Sequence, residues 1–364
     1  MVDYNPEIKR LVDEIAGTKY NKRTQHAVGL MKAKLARLKE KDVARRSGGK
    51  KGEGYSVKRS GDATVVLVGF PSTGKSTLLN ALTNAESLTA AYAFTTLTVI
   101  PGMLEYEHSR IQILDVPGIL KGASDGTGRG KEVLAVMRSA DMALLVIDIQ
   151  NPEHLDVLQH EINNFSIRLN QRKPDVRIKK TVRNGIRIGR TVRMDLDDET
   201  ITTVLKEFRM NNAEVLMRDP INVDQLIDVI EDNKVYIPGI IVLNKGDLVT
   251  KEQAEEIKFL TKADIIVSGE KKKGIEELKQ LIFDRLDFIR IYLKEPGKDP
   301  DMKEPLIMRR GCCIRTVCDK LHRDFVSKFK FARIWGKSSK FPGQKLLSLE
   351  HKLLDKDVLE VHLR

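Results

Sequence analysis

Lys75 and Ser76 close the stretch Gly69-Phe70-Pro71-Ser72-Thr73-Gly74-Lys75-Ser76-Thr77, which has the spacing G-x-x-x-x-G-K-[ST]. Glycines at those positions let successive backbone N–H groups face a concavity, and a helix beginning there adds its positive dipole end. Such a cradle takes the phosphates of a nucleoside triphosphate. Lys75 would reach the β- and γ-phosphates, and the Ser76 hydroxyl would hold Mg²⁺. Further on, Asp115-Val116-Pro117-Gly118 is a D-x-x-G segment. It would set a carboxylate beside the metal and a glycine amide where the γ-phosphate lies. The third group is Asn244-Lys245-Gly246-Asp247. A carboxylate at Asp247 can accept from both N1–H and N2–H₂ of guanine, while the Asn244 amide supports the base edge. Adenine lacks that donor pair, so a buried carboxylate would reject it. Ser268 and Gly269 fall where a loop would back the base.

These residues need a scaffold that brings strand ends together. Val65–Val68, Ile111–Asp115, Met142–Ile149, Ile240–Leu243 and Ile265–Val267 are short apolar runs of buried-strand type, and helical spacing follows at Leu78, Leu79 and Leu82. Each motif stands at the carboxyl end of one of these runs. That order predicts an α/β, doubly wound, mostly parallel sheet with its ligand at the carboxyl ends of the strands. Gly122 to Gly130 carries four glycines and reads as a mobile loop.

The chain has 364 residues, 41% hydrophobic and 31% charged, so it suggests more than one domain with ample core. It has no apolar run long enough to span a membrane and begins without a secretory h-region. Cys312, Cys313 and Cys318 lack metal or disulfide spacing and read as small hydrophobes of a reducing compartment. The +12 net charge is concentrated: residues 1–60 carry 16 Lys or Arg against 7 Asp or Glu. Two readings of that arm stand, an RNA-binding surface and a solvated charged helix. The apolar positions predict two helices between Asn5 and Asp42, broken near Gly17 and Asn21, then a mobile basic linker from Arg45 to Ser60.

The interval from Gly118 to Asn244 is about twice what a minimal nucleotide domain needs, so an α+β insertion is expected near 165–235. Within it, Val176 to Arg193 alternates apolar with basic residues around Asn184-Gly185, a hairpin turn signal. Helices are expected at 201–210 and 223–230. The basic strand face, with Arg177, Lys179, Arg183, Arg187 and Arg193, fits phosphate contacts or a solvated half-buried sheet equally. Residues 289–364 read as a small β-grasp module with strands at 289–293, 331–335 and 358–363 and one helix at 317–329.

GFPSTGKS, AAYAFTTLTVIPG, DVPGILKGASDGTGRGKEV and NKGD together closely resemble the Drg (developmentally regulated GTP-binding protein) branch of the Obg-like GTPases, over nearly the whole chain. The lack of a long acidic or low-complexity tail is more similar to archaeal members. The resemblance implies GTP hydrolysis to GDP, slow when unaided, and a nucleotide-controlled switch acting in the cytoplasm on ribosomes or other RNA-containing partners. It implies a P-loop GTPase domain (61–164 and 236–288), a helical N-terminal region with linker (1–60), an inserted domain like the second domain of ribosomal S-five (165–235) and a TGS domain (289–364). It also implies a monomer without membrane association and a regulator protein on the TGS or N-terminal region.

Residue by residue, the resemblance assigns Gly69 to Thr77 to the phosphates, with Lys75, Thr96 and Gly118 in catalysis. Phe94, Thr95 and Thr96 form the switch segment, with Thr96 joining Ser76 and Asp115 on Mg²⁺. Val116 and Pro117 line the nucleotide beside Gly118, and Asn244, Lys245, Asp247, Ser268 and Gly269 read guanine. Two departures stand out. Ile119 replaces the water-orienting glutamine of Ras-like enzymes, and Ser72 stands where K⁺-stimulated relatives place an asparagine. The accelerating group is therefore K⁺ or a bound partner. Rival readings are a metabolic phosphotransferase, which ATP competition would reveal, and an RNA-binding module whose nucleotide site is only structural.

Overall fold

The computed structural model describes residues 5–46, 60–83, 100–116, 136–164 and 166–364. The switch segment Phe94-Thr95-Thr96, the run Pro117-Gly118-Ile119, the glycine-rich loop 122–130 and most of the basic linker lie outside these residues. The chain divides into two compact units, one of residues 1–54 with 171–236 and the other of residues 55–170 with 237–364.

The larger unit holds β1 (Ala63–Val68), α3 (Lys75–Leu82), β2 (Ile100–Tyr106), β3 (Ser109–Asp115), β4 (Met142–Asp148), α4 (His154–Asn164), β10 (Gly239–Asn244), α7 (Lys251–Thr261), β11 (Ile265–Ile266) and α8 (Ile275–Arg285). Its six strands run in the order β11-β10-β4-β1-β3-β2, all parallel except β2. β1 and β4 are buried at every position, as a sheet covered on both faces requires. β1 lies between β3 on one side and β4 on the other. Strand order reverses there, and the crevice at the strand ends opens at that point.

The same unit continues through β12 (Phe288–Leu293), β13 (Leu306–Arg309), α9 (Ile314–Leu321), β14 (Phe329–Trp335), β15 (Gln344–Leu346) and β16 (Asp357–Leu363), a five-stranded sheet ordered β13-β12-β16-β14-β15. α9 covers one face over Ile291, Ala332, Ile334 and Leu359. The helix is shorter than the 317–329 expected. It ends at His322, whose backbone is extended, and Phe325, Val326 and Phe329 reach the same core from turns and the start of β14. Their apolar spacing reported burial, which a turn satisfies as well as a helix does. Cys312 and Cys318 are buried, and burial pushes the Cys312 thiol up to about 11.

The chain leaves the larger unit after β5 (Ile167–Leu169) and returns to it at the end of β9 (Val235–Ile237). The other unit joins the N-terminal helices α1 (Asn5–Gly17) and α2 (Gln25–Arg46) to β6 (Val176–Lys180), β7 (Ile186–Arg190), α5 (Asp198–Glu207), β8 (Ala213–Met217) and α6 (Val223–Glu231). Asn184 and Gly185 do adopt left-handed backbone, with φ of 82° and 67°. The expected hairpin nevertheless does not form. β8 lies between β6 and β7, antiparallel to the first and parallel to the second. The connecting loop is tied to the approach to β8 instead, because Gly185 N donates to Asn212 Oδ1 and Ala213 N to the Gly185 carbonyl. α6 carries a full capping box between Asn222 and Gln225. Among the described residues, no helix is long and apolar enough to cross a membrane.

Candidate functional site

The loop leaving β1 passes hard against β4: a Cβ on Gly69 would stand 2.4 Å from the Val146 carbonyl oxygen. Gly74 has φ of 82°, and a Cβ there would come within 2.5 Å of Asn244 Nδ2. Lys75 is buried, and its Nζ donates to the carbonyls of Gly69 at 3.0 Å and Phe70 at 2.8 Å. Burial lowers its pKa and the nearby Asp115 carboxylate opposes that shift. The ammonium is thus held at the concavity before any phosphate arrives. Thr73 Oγ1 donates to the Phe70 carbonyl at 3.0 Å, and the Phe70 ring lies 4.6 Å from that of His154. Pro71, Ser72 and Thr77 are exposed at the loop's rim, Ser72 with φ of 63°.

At the end of β3, Asp115 is 4% exposed and its Oδ2 accepts from Ser76 Oγ at 2.6 Å. Its Oδ1 is buried without a hydrogen-bond partner among the described residues. An orphaned carboxylate oxygen beside a hydroxyl suits a small oxygen-seeking cation, so the residues present fit Mg²⁺. Val116 follows, buried.

β10 delivers the third group. Asn244 is 2% exposed, and both ends of its amide are engaged: Nδ2 donates to the Thr73 carbonyl at 2.9 Å, and Oδ1 accepts from Gly269 N at 3.1 Å. It therefore ties the phosphate loop to the loop after β11 rather than lying open toward a base. Lys245 takes left-handed backbone and pairs with Asp148 Oδ2 at 2.7 Å. Asp247 faces Ser268, whose bonded hydroxyl holds the carboxylate below its ordinary range. Partial burial opposes this shift, and Lys271 at 3.2 Å reinforces it. Asp148, His154 and Lys271 had no motif to announce them. Each acts from an element distant in sequence or from an unpatterned loop.

The fold therefore brings Gly69–Thr77, Asp115, Val116, Asn244, Lys245, Asp247, Ser268 and Gly269 to one edge of the six-stranded sheet. Phe94, Thr95, Thr96, Pro117 and Gly118 lie outside the described residues. A separate cavity of about 840 Å³ belongs to the other unit, lined by Tyr20, Gln25, Arg193 and Asn222 among others, and none of the motif residues borders it.

Three family models match successive parts of the chain: "50S ribosome-binding GTPase" over residues 64–180, "C-terminal region of MMR_HSR1 domain" over 183–288, and "TGS domain" over 289–363. An uncharacterized GTP-binding protein of Methanocaldococcus jannaschii is 52% identical over 98% of this chain and 92% of its own. The developmentally-regulated GTP-binding protein 1 homolog of Dictyostelium discoideum is 40% identical over 98% of each chain. Ribosome-interacting GTPase 1 of Saccharomyces cerevisiae is 41% identical, again over 98% of each.

Proposed function

The chain belongs to the developmentally regulated GTP-binding protein family of GTPases, and from that premise we propose that it hydrolyses GTP slowly as a switch controlling its docking on ribosomes or other RNA in the cytoplasm. One observation carries the chemical half of this reading. The Asn244 amide joins the phosphate loop to the base-reading loop, so phosphate and guanine contacts form as one assembly. Lys75 would stabilise charge spreading over the β- and γ-phosphates, and the loop amides would fix the reacting phosphoryl group in line. Ser76 and Asp115 would hold Mg²⁺, which when bound neutralises phosphate charge. Asp247, kept ionised by Ser268 and Lys271, would select guanine. Thr96 and Gly118 are proposed for the γ-phosphate on their motifs alone. The name of the yeast relative supports a ribosomal partner, as does the charge of the N-terminal arm.

Ile119 offers no group to orient water, so acceleration is proposed to come from K⁺ near Ser72 or from a bound partner. The left-handed backbone of Ser72 is a conformation asparagine adopts readily. Steady-state hydrolysis in matched KCl and NaCl tests this. We expect faster turnover in K⁺, a larger ratio in Ser72→Asn, and near-complete loss in Lys75→Ala. Equal rates in the two salts, with stimulation only by ribosomes, would leave the partner as the accelerating group. Turnover that survives Lys75→Ala would end the enzymatic reading. Co-sedimentation with ribosomes in GTP, GDP and a non-hydrolysable analogue tests the switch.

A further inference from the structure

The five-stranded C-terminal sheet has one face under α9. On the other, Phe288 and Ile307 at the β12–β13 end pack against α8, while no helix among the described residues covers the part formed by β14, β15 and β16. Alternation along the strands sends Tyr292 of β12 and Lys294 just beyond it, Phe331, Arg333 and Trp335 of β14, Lys345 of β15 and His362 of β16 to this second face. The intervening Ile291, Leu293, Ala332, Ile334 and Leu346 face the core. Four rings and three cations therefore share one surface. They are organised in pairs: Lys294 Nζ lies 4.9 Å from the centroid of the Trp335 ring, and Lys345 Nζ lies 4.4 Å from that of Phe331. Phe331 and His362, directly opposite across β14 and β16, stack at 4.1 Å and 17°. The single carboxylate among them, Glu360, is 3% exposed. It is taken by Lys294 at 2.6 Å and His362 at 2.5 Å, so it offers little negative charge to solvent. Arg333 and Lys345 are exposed. The whole segment 289–364 holds 18 Lys or Arg against 10 Asp or Glu, a net of +8.

From this juxtaposition we propose that the open face of the C-terminal sheet binds single-stranded RNA. Aromatic rings interleaved with cations on a sheet are suited to unpaired nucleotides, because bases stack on the rings while phosphates take the charges. Here a nucleotide satisfies both halves of each pair: the phosphate draws the lysine off the ring and a base takes its place. An acidic peptide would use the cations and leave the rings bare. The assignment rests on the RNA-partner reading above and locates one surface for it.

Trp335 is the only tryptophan in the chain, so its emission reports from this face alone. The full chain is titrated with an unstructured RNA of about ten nucleotides, and in parallel with polyglutamate. We expect saturable quenching by RNA and weak binding of the peptide. Arg333→Ala combined with Lys345→Ala should weaken RNA binding and reduce the slope of log affinity against log salt by about 0.7 for each phosphate no longer neutralised. Phe331→Leu, which keeps the apolar bulk, should weaken it by about tenfold because a base no longer stacks there. GDP affinity should not change in either variant. RNA binding with Trp335 silent and both variants unaffected would overturn this proposal and leave the RNA-partner reading standing. Failure of the full chain to bind RNA or ribosomes at all would remove both. Polyglutamate binding tighter than RNA would reassign the face to an acidic protein.

Discussion

Asp247 shows how neighbours set a residue's task. Its carboxylate can accept from guanine only when ionised, and the bond to Ser268, reinforced by Lys271, lowers its pKa below the ordinary 3.8. The sign follows directly: a depressed acid stays ionised until pH falls through that lowered value. Discrimination between GTP and ATP should therefore persist through mildly acid pH, as nucleotide competition at stepped pH would show. Loss of discrimination already near neutrality would mean that another group reads the base. Asp247→Asn should move preference toward xanthine nucleotides, because the amide reverses one donor–acceptor match. If GTP binds the variant as well as before and the xanthine nucleotide no better, Asp247 does not read the base.

Between elements, the consequential contacts are small. Asn244 is one side chain, yet it connects α3's loop to the loop after β11. Asn244→Ala would leave the Thr73 carbonyl and Gly269 N–H without that partner, and each buried unsatisfied group costs about 1–3 kcal/mol. We expect nucleotide affinity to fall by at least about tenfold for that reason, measured by titration with a fluorescent GDP. Affinity within twofold of the parent would show that the two loops hold themselves. In the other unit, α2 packs on α5 and α6 with Gly29 and Ala33 at the apolar contact, while His26, Lys32 and Arg37 bond across to Thr203, Asp224 and Glu207. A Cβ on Gly29 would lie 2.9 Å from a Thr200 methyl. Gly29→Ala sets about 1 kcal/mol of helix propensity against that contact and should be near neutral. Gly29→Leu has no such room and should destabilise the unit by about 1–3 kcal/mol. Thermal unfolding of the two variants checks the ordering, and equal melting temperatures would contradict it.

At the scale of the molecule, the TGS segment is stitched into the nucleotide domain. Ile307 of β13 is buried in the same core as Val65, Leu144 and Leu278, and Phe288 joins it there. Arg309 pairs with Asp141 and Lys320 with Asp62 at 2.9 Å, while Arg290 spans Asp355 and Glu107. Ile307→Ala should cost about 2–5 kcal/mol, as for a buried isoleucine elsewhere. It should lower the stability of the nucleotide domain as well as that of the sheet it belongs to. Denaturation followed by Trp335 emission and by loss of bound fluorescent GDP should give coincident transitions, both shifted. A shift in the tryptophan signal alone would show that the two halves of this unit unfold independently.

The sequence by itself determined five of the six strands of the nucleotide domain's sheet, the order of the three motifs and their common edge, while β2, interrupted by Pro101 and Gly102, was not among the apolar runs. Apolar runs ending in Gly69, Asp115 and Asn244 leave little freedom once a parallel sheet forms. Local composition also carried three of the five β-grasp strands, β12, β14 and β16, and the left-handed turn at Asn184-Gly185, but not the short β13 and β15. Tertiary structure decided what pairs with what. Nothing local in Val176–Arg190 announces that β8, more than twenty positions later, will separate β6 from β7. Nor does a helix rich in lysine reveal that Gly29 and Ala33 form its contact stripe, since small residues carry almost no hydrophobic periodicity. Asn244's two hydrogen bonds, one to each of two loops, and Lys245's pairing with Asp148 are likewise invisible in one dimension. Strand formation depends on neighbours a few residues away, whereas pairing and bridging depend on atoms that only chain folding brings within 3 Å.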